Sequence, residues 1–460
     1  MHNDETQEVI LASIELNTST SAKILAIGDV HLGTRCAGLP EIVFESGFVE
    51  SDLSPASALS AAVDLAIKNN VDGVVFAGDV VESTNARFEA IQSFEPNIER
   101  LLAAGIDVVA VAGNHDVEAL PRIANIHGGF TLLGGGGQWQ SHLITRGQKP
   151  LVEILGWSFA ERRINYSPIA QLLAEPLPPA VDGIPRIGLI HADLDASGGH
   201  YAPIKQSELN QTGLDGWLLG HIHMPSLTNG SESPAGYPSG YLGSLVGLDP
   251  SETGPRGPWL ITIQSNGDLQ VKHHQVAPLR WEYLNLYVEG MADIEDLPDQ
   301  ILGLAEKKLR ELEASGPAPR VLGLRVNVEG ASPIFEAIGS YIEGRDWADL
   351  GRTIGDSFVF VNKIVNRMGL YLDLDEIAKG DHPAAIMARR VLSLEQNNDV
   401  AKDLLKTIQS DLKSLATHQR WLALNEHRDA HDPIEDEALR QILLEAGKSA
   451  LNAMVQQGRA

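Results

Sequence analysis

The amino-acid sequence predicts an α/β sandwich with buried strands, followed by a small α+β domain and a C-terminal helical region. Short apolar runs that end at glycine–polar pairs alternate with amphipathic helical stretches, which is the rhythm of an α/β fold. The pattern changes near Pro278, and 460 residues with 43% hydrophobic content suffice for two or three domains. We expect a disordered acidic tail over residues 1–22, the sandwich over 23–278, the small domain over 279–380 and a helical tail over 381–460.

The expected strands of the sandwich are short and fully apolar, as buried strands are. Ser54 and Pro55 mark the start of a helix that should reach Asn69, because the hydroxyl can cap the first turn and proline suits the first helical position. Asn266-Gly267 predicts a hairpin turn. The other expected elements are, in chain order, strands at Lys23–Ile27 and Val74–Ala77, a helix at Phe88–Ala103, strands at Asp107–Ala112, Leu151–Leu155, Ile187–Ile190 and Trp217–Leu219, and the hairpin strands Trp259–Ile263 and Leu269–His273.

The second half of the sequence predicts a mixture of strands and helices that gives way to helices alone. The apolar faces of the last helices fit two alternatives, packing against the preceding domain or docking a partner, and the sequence does not decide between them. The expected elements are a strand at Trp281–Val288, a helix at Leu297–Leu312, a strand at Arg320–Val328, a helix that begins at Ser332-Pro333, a helix with Leu404, Ile408, Leu412 and Leu415 on one face, and a last helix that begins at Asp432-Pro433.

The charge balance argues against a surface for nucleic acid or for anionic membranes. Asp and Glu number 61 against 35 Lys and Arg, a net charge of −26, and such a chain repels phosphate unless a local feature reverses the field. The single cysteine, Cys36, excludes an internal disulfide and a thiolate zinc site. Residues 1–22 lack the basic region and the following apolar region of a signal peptide. No apolar run reaches the ~20 residues of a membrane span. We therefore expect a cytoplasmic protein without membrane association.

Five short motifs place polar side chains just after expected strands. The carboxyl ends of strands form the crevice where sites assemble in open α/β sheets, and alternate side chains of an extended segment can converge. A lone Asp or His is usually a turn former or a packing residue, but five such motifs in fixed order are not expected by chance. The motifs are Asp29-Val30-His31, Gly78-Asp79, Gly113-Asn114-His115-Asp116, His191 and Gly220-His221-Ile222-His223.

The donor atoms in these motifs point to a pair of divalent metal ions. They are carboxylates, imidazoles and one amide, a set that suits manganese, iron or zinc and is too rich in nitrogen for calcium. This many candidate ligands exceeds the need of one catalytic ion, which keeps an open position. Two ions roughly 3.5–4 Å apart that share a bridging carboxylate would use them all.

The order of the five motifs resembles that of the calcineurin-like metallophosphoesterase superfamily. Within it, Asp29-Val30-His31-Leu32-Gly33 is similar to the nuclease subunits of the SbcD type, as are Tyr241–Leu245 and the following Gly257–Leu260. His200-Tyr201-Ala202-Pro203 is similar to the YhaO branch. The resemblance is specific over residues 23 to about 275, looser over 280–380 and faint beyond. It implies a two-sheet sandwich flanked by helices and a capping domain that selects DNA geometry.

The resemblance also implies a role for each motif residue. His115 would contact the phosphate and protonate the leaving oxygen, with Asp116 as its orienting partner, while a metal-bridged hydroxide attacks phosphorus in line. His200 is a candidate wall residue of the substrate pocket, and manganese is the first expectation for the metal, with Fe²⁺ or Zn²⁺ as alternatives. Asp29, His31 and His223 would hold one ion, Asn114, His191 and His221 the other, and Asp79 would bridge them; His127, His142, His273 and His274 are expected to be ordinary surface or packing residues.

At three positions the sequence differs from patterns found in relatives. Some nuclease relatives have a histidine three residues after the bridging aspartate, where this chain has Glu82, and this leaves the polarity of cleavage open. Serine/threonine protein phosphatases continue the second motif as Asp-Arg-Gly, whereas Val80–Ser83 follows Asp79 here, which argues against that class. Leu242 replaces the proline of a Pro-Gly-Ser segment, a change that preserves the turn.

The preferred hypothesis is a DNA-processing exo- or endonuclease subunit in DNA repair. It would work with an SbcC-like coiled-coil ATPase and, as the resemblance implies, as a homodimer. A stand-alone phosphoesterase for nucleotides or cyclic nucleotides needs the same metals, but it would not need the C-terminal 180 residues. A scaffold that kept the fold and lost its ions is a third class, against which the full ligand set argues. Because two ions add four positive charges where phosphate binds, the acidic balance predicts weak DNA affinity for the chain alone and a basic surface supplied largely by a partner.

Overall fold

The structure is a computed structural model, and it describes most of the chain. The expected acidic tail, except for its last two residues, lies outside the described residues, as do His127 and the expected helix start at Asp432-Pro433. The described residues are 21–82, 87–126, 128–174, 180–196, 199–264, 266–289, 291, 293–332, 334–368, 372–416 and 436–459.

Fifteen strands and twelve α-helices are found in the described part of the chain. The strands are β1 (Ala22–Ile27), β2 (Gly73–Phe76), β3 (Asp107–Ala110), β4 (Phe130–Leu132), β5 (Trp139–Arg146), β6 (Lys149–Trp157), β7 (Arg186–His191), β8 (Gly216–Gly220), β9 (Ser239–Tyr241), β10 (Trp259–Ile263), β11 (Leu269–His273), β12 (Leu279–Tyr287), β13 (Val321–Glu329), β14 (Gly351–Ile354) and β15 (Ser357–Asn366). The helices are α1 (Glu41–Glu45), α2 (Pro55–Lys68), α3 (Arg87–Ala103), α4 (Ala119–Ile126), α5 (Pro168–Ala174), α6 (Gln206–Leu209), α7 (Leu297–Ser315), α8 (Phe335–Glu343), α9 (Leu374–Ile377), α10 (Pro383–Gln396), α11 (Asp399–Ala416) and α12 (Asp436–Arg459).

The strands form three sheets. The first has the order β11-β10-β1-β2-β3-β4, with parallel pairing from β1 to β4 and antiparallel pairing of β10 with β1 and β11. The second has the order β5-β6-β7-β8-β9 and is parallel from β6 to β9. The third has the order β12-β13-β15-β14. The predicted α/β fold class, with two sheets and flanking helices in the first part, is confirmed.

Side chains of β1 show why the first two sheets stack. Ile24 and Ala26 join a buried cluster that also contains Ile154 and Leu189 of the second sheet. Because side chains of a strand alternate between its faces, the neighbouring Leu25 and Ile27 lie on the other face of β1, where they join the core beneath α2 and α3. A strand that is buried on both faces reads as an uninterrupted apolar run, and this explains why β1 was recognisable in the sequence.

Most elements expected from the sequence are present with bounds that shift by a few residues. The helix predicted from Ser54 is α2, and the Ser54 hydroxyl accepts a hydrogen bond from the Ser57 N–H at 3.3 Å, as a cap should. The hairpin of β10 and β11 has the predicted bounds. Strands β4, β5, β9, β14 and β15 were not expected.

The chain divides into two compact units. The first contains the described residues up to Leu284 together with Pro298–Val326 and Asp346–Ile364, and it holds both stacked sheets. The second contains Asn285–Leu297, Asn327–Arg345 and Val365–Ala460. The expected domain boundaries at residues 22, 278 and 380 stay a prediction.

In the second unit, α10, α11 and α12 pack on one another. Val391, Leu394, Ala401 and Leu444 form their small buried core. Ile442 of α12 is exposed, so the predicted apolar faces serve partly as core and partly as open surface. Among the described helices, none has both the length and the apolar character needed to cross a membrane.

Candidate metal centre

The polar motifs of both stacked sheets meet at the carboxyl ends of their strands. Asp29, Asp79 and Asn114 follow β1, β2 and β3 of the first sheet. In the second sheet β7 ends at His191, and the segment after β8 carries His221 and His223. The sandwich therefore gathers these six residues, all singled out from the sequence, at one place.

Asp29, His31 and His223 form the first group of candidate ligands. Each offers one atom, and the three atoms lie within 4.8 Å of one another. The Nε2 atoms of His31 and His223 are 3.1 Å apart. The Asp29 carboxylate is buried and accepts the backbone N–H of His221 at 3.0 Å, so it is fixed in place by the opposite sheet.

Asp79, His191 and His221 form the second group, also within 4.8 Å, and Asn114 adds an amide oxygen. Nε2 of His191 lies 3.2 Å from Oδ2 of Asp79 and 3.0 Å from Oδ1 of Asn114. The same Asp79 oxygen lies 4.0 Å from Nε2 of His31, a member of the first group. The Asp79 carboxylate thus borders both groups, and a carboxylate in this position could bridge two ions.

The electrostatics of the cluster fit bound cations. Burial raises the pKa of Asp29, and the neighbouring Asp79 carboxylate raises it further, although nearby imidazoles oppose the shift. Burial alone would lower the pKa of His191, but Asp79 and Asp29 outweigh it and raise this pKa to about 9. Buried carboxylates that draw protons onto neighbouring imidazoles occupy a site that favours positive charge. Oxygen and imidazole donors in this number match two divalent ions of the manganese, iron or zinc type.

Three of the candidate ligands have left-handed backbone conformations. The φ angles are 53° for His31, 49° for Asp79 and 102° for His221. Non-glycine residues adopt positive φ rarely and at a cost of order 1–3 kcal/mol each, and such residues cluster at functional sites. The surrounding sandwich therefore holds these three residues in backbone conformations that are unfavourable for non-glycine residues.

The glycines next to the ligands have steric reasons to be glycine. A Cβ atom on Gly113 would lie 2.2 Å from Oδ1 of Asp79, and Gly78 has a φ of 91°. The backbone at Gly113 thus lies so close to Asp79 that no side chain would fit between them. This close packing brings the Asn114 amide to His191.

Glu82 contacts the ring of His115, a partnership that the sequence did not predict. Its Oε2 atom lies 2.7 Å from Nδ1 of His115 and 3.6 Å from Nδ1 of His31. The Asp116 carboxylate, expected to orient His115, instead accepts the N–H groups of Val80 and Gly113, each at 2.7 Å. Asp116 is completely buried and ties the loops after β2 and β3 together, whereas the His115 ring is partly open to solvent.

Two further carboxylates support the histidines after β8. Oε1 of Glu252 lies 2.7 Å from Nδ1 of His223, and Oδ1 of Asp193 lies 2.9 Å from Nε2 of His221. Neither residue was singled out from the sequence. Glu82 had a signal, since it stands at a family position three residues after Asp79, but Glu252 and Asp193 lie in loops that carry no motif.

His200, a candidate wall residue of the pocket, lies on the surface. Its Nδ1 atom is 3.0 Å from Oδ1 of Asn165. The ring of the next residue, Tyr201, has its centroid 5.1 Å from that of His221. The structure therefore places Tyr201 against the ligand cluster.

The segment that resembles the family's Pro-Gly-Ser turn lies beside Asp29. The Asp29 N–H donates to the carbonyl of Gly243 at 3.1 Å, and the N–H of Leu245 donates to the carbonyl of Asp29 at 2.9 Å. Residues after β9 thus fix the backbone of the first motif, and this gives the sequence resemblance a structural basis.

Comparisons with known proteins give the same family. Residues 22–225 match the model of the family described as calcineurin-like phosphoesterase. The chain is 25% identical over 270 residues to the uncharacterised metallophosphoesterase YhaO of Bacillus subtilis (strain 168), a match that covers 57% of this chain and 62% of YhaO. It is 26% identical over 275 residues to the DNA double-strand break repair protein Mre11 of Aeropyrum pernix, which covers 57% of this chain and 62% of that protein.

A second archaeal Mre11, from Sulfurisphaera tokodaii, is 33% identical over 97 residues, which is 21% of this chain and 23% of that protein. The chain thus spans less than two thirds of the length of each of these relatives. The family model covers the strands and loops that carry the candidate ligands. The comparisons therefore support a relationship of residues 22–225, less than half of the chain, to the calcineurin-like phosphoesterases.

Proposed function

We propose that this protein is a dinuclear metal-dependent phosphodiesterase. The observation that carries the proposal is the position of Asp79, whose buried carboxylate borders both groups of candidate ligands. Asp29, His31 and His223 would hold one divalent ion, and Asn114, His191 and His221 would hold the other. When bound, the two ions would activate the attacking water and neutralise charge on the phosphoryl oxygens.

The protein's own residues would complete the reaction. His115 is open to solvent next to both groups, so its ring can reach a bound phosphate and donate a proton to the leaving oxygen. Glu82 accepts from Nδ1 of His115 and leaves Nε2 to face the substrate. Asp116 would position His115 indirectly by fixing the backbone of the loop.

We further propose that the substrate is DNA and that the protein acts as a repair nuclease. The likeness to two Mre11 proteins, whose names describe DNA double-strand break repair, supports this choice. A net charge of −26 disfavours tight DNA binding by the chain alone. We therefore propose a coiled-coil ATPase of the SbcC type as the partner that supplies basic surface, with the exposed apolar residues of α11 and α12 as its docking region.

The same acidic charge favours a second candidate function, hydrolysis of a small phosphodiester. A nucleotide or cyclic nucleotide carries few negative charges, so a chain of this net charge repels it much less than it repels a DNA duplex. The ligand groups serve either substrate equally well.

The proposed homodimer belongs to the nuclease alternative and predicts twice the chain mass in solution.

One assay with the purified protein separates these alternatives. Linear DNA, bis-p-nitrophenyl phosphate and cyclic nucleotides are offered in parallel with Mn²⁺ or with a chelator, with and without the cognate ATPase. DNA cleavage that needs Mn²⁺ and is lost in Asp79→Asn supports the nuclease. Rapid turnover of the small substrates with intact DNA, even with the ATPase present, would establish the second candidate, and no turnover of any substrate would contradict both.

A further inference from the structure

His221 and His223, two residues apart, turn opposite ring nitrogens toward the candidate metal centre. His221 has Nδ1 at 3.3 Å from Nε2 of His191, so its Nδ1 faces the second group. His223 has Nε2 at 3.1 Å from Nε2 of His31, so its Nε2 faces the first group. A neutral imidazole can coordinate only through the nitrogen that lacks a proton. To bind metal through these inward nitrogens, the two rings would have to be neutral tautomers of opposite kind.

Glu252 contacts the outward nitrogen of His223 and is itself well anchored. Oε1 lies 2.7 Å from Nδ1 of His223, and Oε2 accepts the N–H of Leu248 at 3.0 Å and the hydroxyl of Ser244 at 3.2 Å. Arg256 donates to the Ser244 hydroxyl at 3.2 Å and to the backbone carbonyl of His223. Both the ring and the backbone of His223 are thus held by one connected network.

Asp193, in another loop, contacts the outward nitrogen of His221. Oδ1 lies 2.9 Å from Nε2 of His221. The backbone of Asp193 is fixed on both sides, because its N–H donates to Tyr201 at 2.9 Å and its carbonyl accepts from Ile204 at 2.8 Å. The Tyr201 ring packs on the His221 ring. The carboxylate therefore meets a ring that has little freedom to turn.

We propose that Glu252 and Asp193 are positioning residues that set the tautomers of His223 and His221, and so decide which nitrogen each ring offers to a metal. A carboxylate only accepts hydrogen bonds, so the ring nitrogen that faces it carries the proton and the opposite nitrogen keeps its lone pair. Carboxylates that contact metal-ligating histidines in this way also raise ligand basicity, and their loss typically weakens metal binding ~10–100-fold. The inference deepens the proposed function and rests on it.

The test compares Glu252→Gln, Glu252→Ala and Asp193→Ala with the wild type. Nitrogen-15 NMR of the imidazoles in metal-free protein at pH 8 reports the tautomer of each ring, and calorimetry with Mn²⁺ reports stoichiometry and affinity. We expect one of two Mn²⁺ sites to weaken ~10–100-fold in Glu252→Ala and the other in Asp193→Ala. Glu252→Gln keeps an acceptor for Nδ1, so it should keep the tautomer and lose less affinity than Glu252→Ala.

The controls separate positioning from a general loss of structure. Glu306→Gln removes one charge from a surface ion pair with Arg310 and should leave both Mn²⁺ affinities unchanged. If Glu252→Ala lowers the melting temperature strongly, Glu252→Gln still tests the proposal. Tautomers and affinities equal to those of the wild type in Glu252→Ala and Asp193→Ala would overturn it. Failure of the wild-type protein to bind Mn²⁺ would contradict the proposed function instead.

Discussion

The carboxylate of Glu82 lies 2.7 Å from Nδ1 of His115. This contact fixes the ring that we propose as the general acid, and it comes from the loop after β2 rather than from the neighbouring Asp116. Glu82 also lies 3.6 Å from His31, so one side chain stands between the candidate acid and a candidate ligand.

Removing this contact should slow turnover without preventing substrate binding. We expect Glu82→Ala to lower kcat by about 10–100-fold with little change in KM, because the His115 ring would lose the contact that orients it. Steady-state kinetics with bis-p-nitrophenyl phosphate measure the effect. Glu161→Ala, at an exposed position, is the matched control. An unchanged kcat in Glu82→Ala would show that His115 does not depend on Glu82.

A methyl group at Gly113 should disturb the site and the fold together. The added Cβ would lie 2.2 Å from Oδ1 of Asp79, and a Cβ on Gly135 would meet nothing within 4 Å. We expect Gly113→Ala to lower the free energy of unfolding by ~1–3 kcal/mol, and Gly135→Ala to leave it nearly unchanged. Urea unfolding followed by circular dichroism compares the two variants. Equal stabilities would mean that the loop has room to move away from Asp79.

Divalent metal should stabilise the folded protein. A ligand at a hundredfold excess over its Kd adds ~2.7 kcal/mol per site to the free energy of unfolding. We expect Mn²⁺ to raise the melting temperature and a chelator to reverse the rise. Asp79→Asn should lose most of the shift, whereas Asp64→Asn, which removes a carboxylate from a surface pair with Arg100, should keep it. A shift of equal size in both variants would place the bound metal elsewhere.

Cys36 should react slowly with alkylating reagents. Burial raises the pKa of its thiol from 9.0 to about 12, and the Glu252 and Glu50 carboxylates add to the shift. Because the thiolate is the nucleophile, the folded protein at pH 9 should react about a hundredfold or more slowly than the chain in urea. The folded thiol keeps its proton above the pH at which the unfolded thiol loses it, so this group's contribution to stability falls as pH rises from 9 to 12. Iodoacetamide labelling followed by mass spectrometry checks the rate, and equal rates in both states would contradict the expectation.

The central strands could be predicted from the sequence because both of their faces are buried. β1, β2 and β3 read as apolar runs, and their ends mark the motif residues. Strand β5 was missed because it lies at the edge of the second sheet, where Ile144 is its only fully buried residue among mostly polar neighbours. An edge strand contributes few side chains to a core, so its sequence carries little of the pattern that identifies a strand.

The candidate ligands could be predicted because each follows a recognisable strand. The residues that support them could not, since the Glu252–His223 contact joins loops 29 positions apart and a single glutamate in a loop has no pattern. Asp116 shows the limit of reasoning from adjacency. It stands next to His115 in the sequence, yet its side chain binds the backbone of the loops after β2 and β3 while a residue from the second motif's loop meets the histidine.

Each candidate ion would be held by residues from both sheets of the sandwich. Asp29 and Asp79 belong to the first sheet, and His221 and His223 to the second, so both ligand groups span the interface between them. A bound ion would then cross-link the two sheets of the sandwich, and the affinity for metal would depend on how stably the two sheets pack on each other. Truncating a core side chain such as Ile154, which is not itself a ligand, should weaken the packing of the two sheets and so lower the affinity for metal. Metal should then dissociate before the sandwich unfolds.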